Sequence, residues 1–119
     1  MSDHRDAPAP VRPQPPFEPP YHVVVFTSVR TEDDEGYAET AVRMRDLVKE
    51  IPGYLGHESA RTPGGLGITV SYFRDAEAIK AWRSVGEHRG AQKQGRAEWY
   101  EEYTVHVGEV VRSHGWKRD

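Results

Sequence analysis

The fold is decided between Gly67 and Gly108, where the chain reads GITVSYFRDAEAIKAWRSVGEHRGAQKQGRAEWYEEYTVHVG. Ile68, Val70 and Tyr72 alternate with Thr69, Ser71 and Phe73, the period of two that marks a strand, here with apolar groups on both faces. Asp75 offers a side-chain oxygen to the free N–H groups of a helix start, and Ala78, Ile79 and Trp82 follow on one helical face. Gly86 is expected to break that helix. His88, Ala91, Gln92, Gly95 and Trp99 recur at steps of three or four and form a stripe expected to face inward, while Arg89, Lys93 and Arg96 form a second stripe with the pattern of a solvated face. Trp99 and Tyr100 are placed on the last helical turn. Tyr103, Val105 and Val107 then alternate with Thr104, His106 and Gly108 in another strand.

Upstream, Tyr21 to Arg30 (YHVVVFTSVR) is dense in β-branched and aromatic residues and reads as the first strand. An acidic loop, Thr31 to Gly36, places negative charge where a helix dipole favours it. Tyr37, Ala41, Met44, Val48 and Ile51 form the apolar stripe of the helix that follows, and Pro52-Gly53 ends it. Tyr54 to Arg61 reads as a second strand, joined to the third by a turn at Pro63-Gly64-Gly65. The order is strand, helix, strand, strand, helices, strand. That is the α+β, ferredoxin-like split βαβ arrangement, a four-stranded antiparallel sheet with helices on one face. Val24, Phe26 and several third-strand residues are expected to leave the other face apolar, so a second copy should cover it in a homodimer.

With 119 residues and no repeat, the chain holds one domain, 21–119, preceded by an arm, 1–20. Seven of the nine prolines lie between Pro8 and Pro20, and proline fixes φ and removes a donor, so this arm is expected to run extended. Phe17 and Tyr21 would anchor it if it docks. No apolar run reaches the length of a membrane span and no basic-then-apolar leader is visible, so a cytoplasmic location without membrane contact is expected. The chain has no cysteine, which excludes disulfides, thiolate metal sites and cysteine nucleophiles. A net charge of −3 with interspersed signs gives no footprint for nucleic acid. No phosphate loop, HExxH motif, nucleophile elbow or dinucleotide fingerprint is present.

The segments PGYLGHESAR, GITVSYF, EAIKAW, EHRGAQKQGR and WYEEY together resemble the antibiotic biosynthesis monooxygenase superfamily, over about Val23 to Trp116. The resemblance implies a dimeric α+β barrel with a pocket between sheet and helices in each subunit, taking a small hydrophobic or aromatic ligand. One branch of that superfamily oxidises anthrones to quinones without a cofactor: a proton leaves the substrate and the electron-rich anion reacts with O₂. Such a site needs a dry cavity, a base and donors for an oxyanion. Here the wall would be Phe26, Tyr72, Phe73, Trp82 and Trp99, the base His88, and the donors Ser28, Gln92 and Arg30.

Another branch degrades haem with an Asn on the first strand, a Trp on the helix and a His ten residues later. Trp82 matches the Trp, but Ser28 stands for the Asn and Gln92 for the His, and an amide oxygen is a poor iron ligand. Haem binding then requires a shifted ligand, His88, one turn earlier. A third reading is a non-catalytic dimer that binds a small hydrophobic ligand. Each residue also has an ordinary role to set beside these: Trp82 as core, His88 as a helix-end hydrogen-bonding group, Gln92 as a backbone partner, and Arg30 in an ion pair with Glu58.

Overall fold

The computed structural model describes residues 12–119. It contains β1 (Tyr21–Arg30), α1 (Tyr37–Val48), β2 (Tyr54–Arg61), β3 (Leu66–Phe73), α2 (Ala76–Arg83), α3 (Gly86–Gln94), a π-helical turn (Gly95–Trp99) and β4 (Tyr100–Val110). The strands form one sheet in the order β2-β3-β1-β4, and each neighbouring pair is antiparallel. This is the expected α+β, ferredoxin-like arrangement. The strand richest in β-branched residues, β1, takes a central place with a partner on each edge.

Local chemistry sets the helix limits. Asp75 accepts a hydrogen bond from the Ala78 N–H at 2.9 Å, a cap worth about 1 kcal/mol. Gly36 precedes α1 with φ of 77°, a left-handed conformation that glycine adopts without steric cost. Gly86 is the first residue of α3 rather than a break within a helix, because α2 already ends at Arg83. The helical stripe that begins at His88 ends in the π-helical turn, and Tyr100 opens β4 instead of closing the helix.

The sheet's two faces are distinguished by packing. Val24, Ile51, Tyr54 and Trp82 pack against a buried cluster of Val48, Phe73, Ala78 and Ile79. The helices therefore cover the face that carries Val24 and Phe26, contrary to the expectation that these two lie on the uncovered side. The uncovered face carries Val23, Val25 and Val29 of β1 with Leu66, Ile68, Val70 and Tyr72 of β3. Both sides of β1 are apolar, so alternation could not choose between them; Phe73, opposite His22 and packed under α2, makes the choice.

Part of the uncovered face is occupied by the Pro-rich segment of the same chain. Phe17 packs on Tyr21 and Tyr72, each at 5.5 Å between ring centroids. The Gln14 N–H donates to Glu58 Oε2 at 2.6 Å. Ser113 Oγ donates to the Phe17 carbonyl at 3.2 Å, and the Arg74 guanidinium donates to the carbonyls of Glu18 and Pro20. Residues 1–11 of the expected arm lie outside the described residues. Beyond Phe17's reach, Leu66 and Ile68 are 51% and 42% exposed.

Candidate active site

The helix-covered face is left open over part of β4. Val105 and Val107 of β4 stand opposite Phe26 and Val24 and so point to the helix side, yet they are 48% and 55% exposed. The helices leave a cleft of about 600 Å³ there. Ala76, Ile79 and Val107 form its apolar surface, and Lys80, Arg83, Ser84 and Arg89 complete its lining. The cationic residues were not anticipated as site residues: Arg89 reads as part of a solvated stripe until the packing of α3 beside α2 brings it to Lys80 and Arg83.

The two helices that border the cleft, α2 and α3, also carry one imidazole, His88. His88 stacks on Trp82, with ring centroids 4.0 Å apart and an interplanar angle of 14°. Its Nδ1 is 3.1 Å from the Trp82 carbonyl oxygen. A carbonyl only accepts, so Nδ1 carries the proton and neutral His88 keeps its lone pair on Nε2. Burial holds the imidazole below its ordinary 6.5, against a smaller upward push from the Trp82 carbonyl. Trp82 and His88 directly precede Arg83 and Arg89 of the cleft. A bidentate pair from Arg43 of α1 to Glu87, at 2.9 and 2.8 Å, ties down the first turn of α3.

The helix-covered side of the sheet also presents aromatic rings. Phe26 meets Tyr100 at 5.3 Å and Tyr103 at 5.2 Å. Burial and a hydrogen bond to Tyr37 push the Tyr100 hydroxyl well above the usual phenol range, so it stays protonated at neutral pH. Trp99, also buried, packs edge-on against Tyr37 at 5.5 Å and donates from Nε1 to the Glu35 carbonyl at 3.0 Å. The wide π-helical turn seats this ring and directs the Trp99 carbonyl to the Thr31 N–H at 2.8 Å.

The structure separates several residues expected to share one wall. Tyr72 lies on the opposite face of the sheet, where its hydroxyl donates to Glu58 Oε1 at 2.7 Å; burial first, then this bond, raises it far above a normal phenol. Phe73 is core, 1% exposed, against Tyr54. Gln92 is exposed on α3, because the inward positions of that helix are His88 and Ala91, and the buried stripe continues at Gly95 of the π-helical turn. Ser28 is fully buried and its hydroxyl accepts from Arg61, whose guanidinium crosses β3 at Gly67, where no side chain obstructs it.

Arg30 does not meet Glu58, which lies on the other face of the sheet. It donates from Nε to the Trp99 carbonyl at 3.0 Å, pairs with Asp34 at 3.2 Å and covers the Tyr37 ring at 3.4 Å. Of the nine residues expected at the site, Trp82 and His88 form a direct unit, Phe26 lies on the same side of the sheet, and Ser28, Arg30 and Trp99 have structural partners. Tyr100 and Tyr103 were missed, since only the β1–β4 register reveals that they adjoin Phe26.

Comparison with known proteins agrees with this architecture. Residues 20–94 match the family model described as antibiotic biosynthesis monooxygenase. The uncharacterized protein YqjZ of Bacillus subtilis is 52% identical over 95 residues, covering 80% of this chain and 83% of that protein. The jasmonate monooxygenase ABM of Pyricularia oryzae is 29% identical over 104 residues, 82% of this chain but 48% of that longer protein. A crystal structure of a putative antibiotic biosynthesis monooxygenase from Caulobacter crescentus superposes with a TM-score of 0.68 at 14% identity, over 78% of this chain and 92% of that one, a likeness of fold. The chain belongs to the antibiotic biosynthesis monooxygenase family.

Proposed function

We propose that the protein is a monooxygenase that oxidises a small electron-rich aromatic molecule, of quinol or anthrone type, with O₂ and without a bound cofactor. The His88–Trp82 unit carries this reading. A neutral imidazole with its Nε2 lone pair available is a base at neutral pH, and stacking on Trp82 with the Nδ1 bond to a carbonyl fixes its tautomer and direction.

In the proposed reaction, written for an anthrone-type substrate, His88 Nε2 removes a proton from its activated CH₂. The resulting anion gives electrons to O₂ and forms a C–O bond; the hydroperoxide then loses water. One oxygen atom remains as the new carbonyl and the other leaves as water, so the substrate supplies all the electrons. The cleft beside α2, α3 and β4 receives the substrate, with Phe26, Tyr100 and Tyr103 as aromatic surface on the same side of the sheet. The kinship with a jasmonate monooxygenase supports oxygenation as the reaction type. A homodimer joined through Leu66 and Ile68 of the uncovered sheet face completes the proposed assembly.

Haem chemistry fits these residues less well. Gln92, at the position of the ligand in the haem-degrading branch, is exposed and offers only an amide, and Ser28 is committed to Arg61. Oxygen uptake by the purified protein against a panel of anthrones and quinols tests the proposal. Consumption of one O₂ per substrate, lost in His88→Ala, is the expected result. No uptake with any member, or uptake indifferent to His88→Ala, counts against it.

A further inference from the structure

Charge and hydropathy divide the cleft beside α2 and α3 into two parts. Its apolar part is Ala76, Ile79 and Val107, and its charged lining residues, Lys80, Arg83 and Arg89, are all cations. The chain as a whole is acidic, with a formal net charge of −3, so a lining with three cations and no carboxylate reverses the sign locally. None of the three takes part in the ion pairs found among the described residues, Arg30–Asp34 and Arg43–Glu87. A helix dipole accounts for Lys80 and Arg83, which close the last turn of α2, since cations are favoured at a helix C-terminus. It does not account for Arg89, which lies in the first turn of α3, where the dipole disfavours a cation. The volume, about 600 Å³, is in the range of small-molecule sites.

We propose that this cleft binds a small amphipathic anion, its apolar body against Ile79, Ala76 and Val107 and its carboxylate or phenolate at Lys80, Arg83 and Arg89. The inference rests on the reading of the cleft as the substrate site and narrows the substrate to an acid. It assigns the three cations a specificity role, separate from the proton transfer given to His88. Guanidinium groups suit it, because they hydrogen-bond a carboxylate in two-point geometry and remain charged at any working pH.

The test compares 2-naphthoate with 2-naphthylmethanol, an uncharged probe of nearly the same size, by titration calorimetry on the full chain. The wild type is expected to bind the anion about tenfold or more tightly than the alcohol, with the preference shrinking as salt is raised. The triple variant Lys80→Gln, Arg83→Gln, Arg89→Gln is expected to lose the preference while keeping the alcohol's affinity. A control triple, Arg45→Gln, Lys49→Gln, Lys93→Gln, removes equal charge elsewhere and is expected to retain it. Equal affinity for both probes in the wild type, no binding of either, or a preference lost equally in the control overturns the proposal. Binding is read without turnover, so its failure is distinct from a failure of oxygen uptake or of its dependence on His88.

Discussion

His88 lies flat on Trp82, six positions earlier in the chain, and donates its Nδ1 proton to the carbonyl of that same residue. One residue thus supplies both the surface that orients the imidazole and the acceptor that selects its tautomer. Both contacts depend on the short link between α2 and α3, Ser84–Val85, which folds α3 back so that its first turn meets the end of α2.

The tautomer and the lowered proton affinity are observable. In ¹H–¹⁵N spectra His88 should show a protonated Nδ1 and a bare Nε2 at pH 7, and should titrate below 6.5 because burial disfavours its charged form. His57 should also titrate low, from burial and then the nearby Arg45 and Lys49. For both, the unfolded chain takes up protons at a higher pH than the folded one, so stability is full above about pH 6.5 and is lost as the pH falls through the folded values. Urea melts between pH 7.5 and 5 check the sign; a rise in stability on acidification contradicts it.

Two glycines should respond differently to alanine. Gly53 has φ of 93°, and a Cβ there would lie 2.9 Å from that of Ala78, so Gly53→Ala should cost about 2–4 kcal/mol from strain and overlap. At Gly67 the nearest atoms a Cβ would meet belong to the movable end of Arg61. Gly67→Ala should therefore cost about 1–2 kcal/mol, by displacing Arg61 and leaving the Ser28 hydroxyl buried without its partner. Arg61→Met removes the same bond, so the double variant should be little worse than either single one in chemical denaturation. Full additivity would contradict this account of Gly67.

Much of the element order was legible because apolar periodicity and its punctuation by Pro52-Gly53, Gly64-Gly65 and Asp75 are local signals. What the sequence hid was relational. The two apolar sides of β1 are equivalent until Phe73 meets α2. The true partners of Arg30 appear only when the π-helical turn brings the Trp99 carbonyl to the end of β1, and Tyr72 leaves the expected wall because its neighbour Phe73 takes the core side. Trp82 and His88 were legible as a pair on successive helices, but the backbone acceptor that orients His88 was not.

The uncovered sheet face should close a dimer. Sedimentation equilibrium at micromolar concentration is expected to give twice the monomer mass, and Ile68→Lys, which places a charge in the exposed apolar patch, should yield monomers with unchanged secondary structure. A monomeric wild type, or an Ile68→Lys protein that remains dimeric, would contradict this interface.

The central claim is that His88 is the base of an O₂-dependent oxidation. Its most direct test is the rate of O₂ consumption with a turned-over anthrone or quinol, compared between the wild type, His88→Ala and Trp82→Phe at pH 7.5. His88→Ala should slow kcat by about 10²–10⁴-fold, the usual contribution of a general base, while Trp82→Phe, which keeps an aromatic surface and the backbone carbonyl, should lose far less. A His88→Ala protein that consumes O₂ at the wild-type rate would place the base elsewhere.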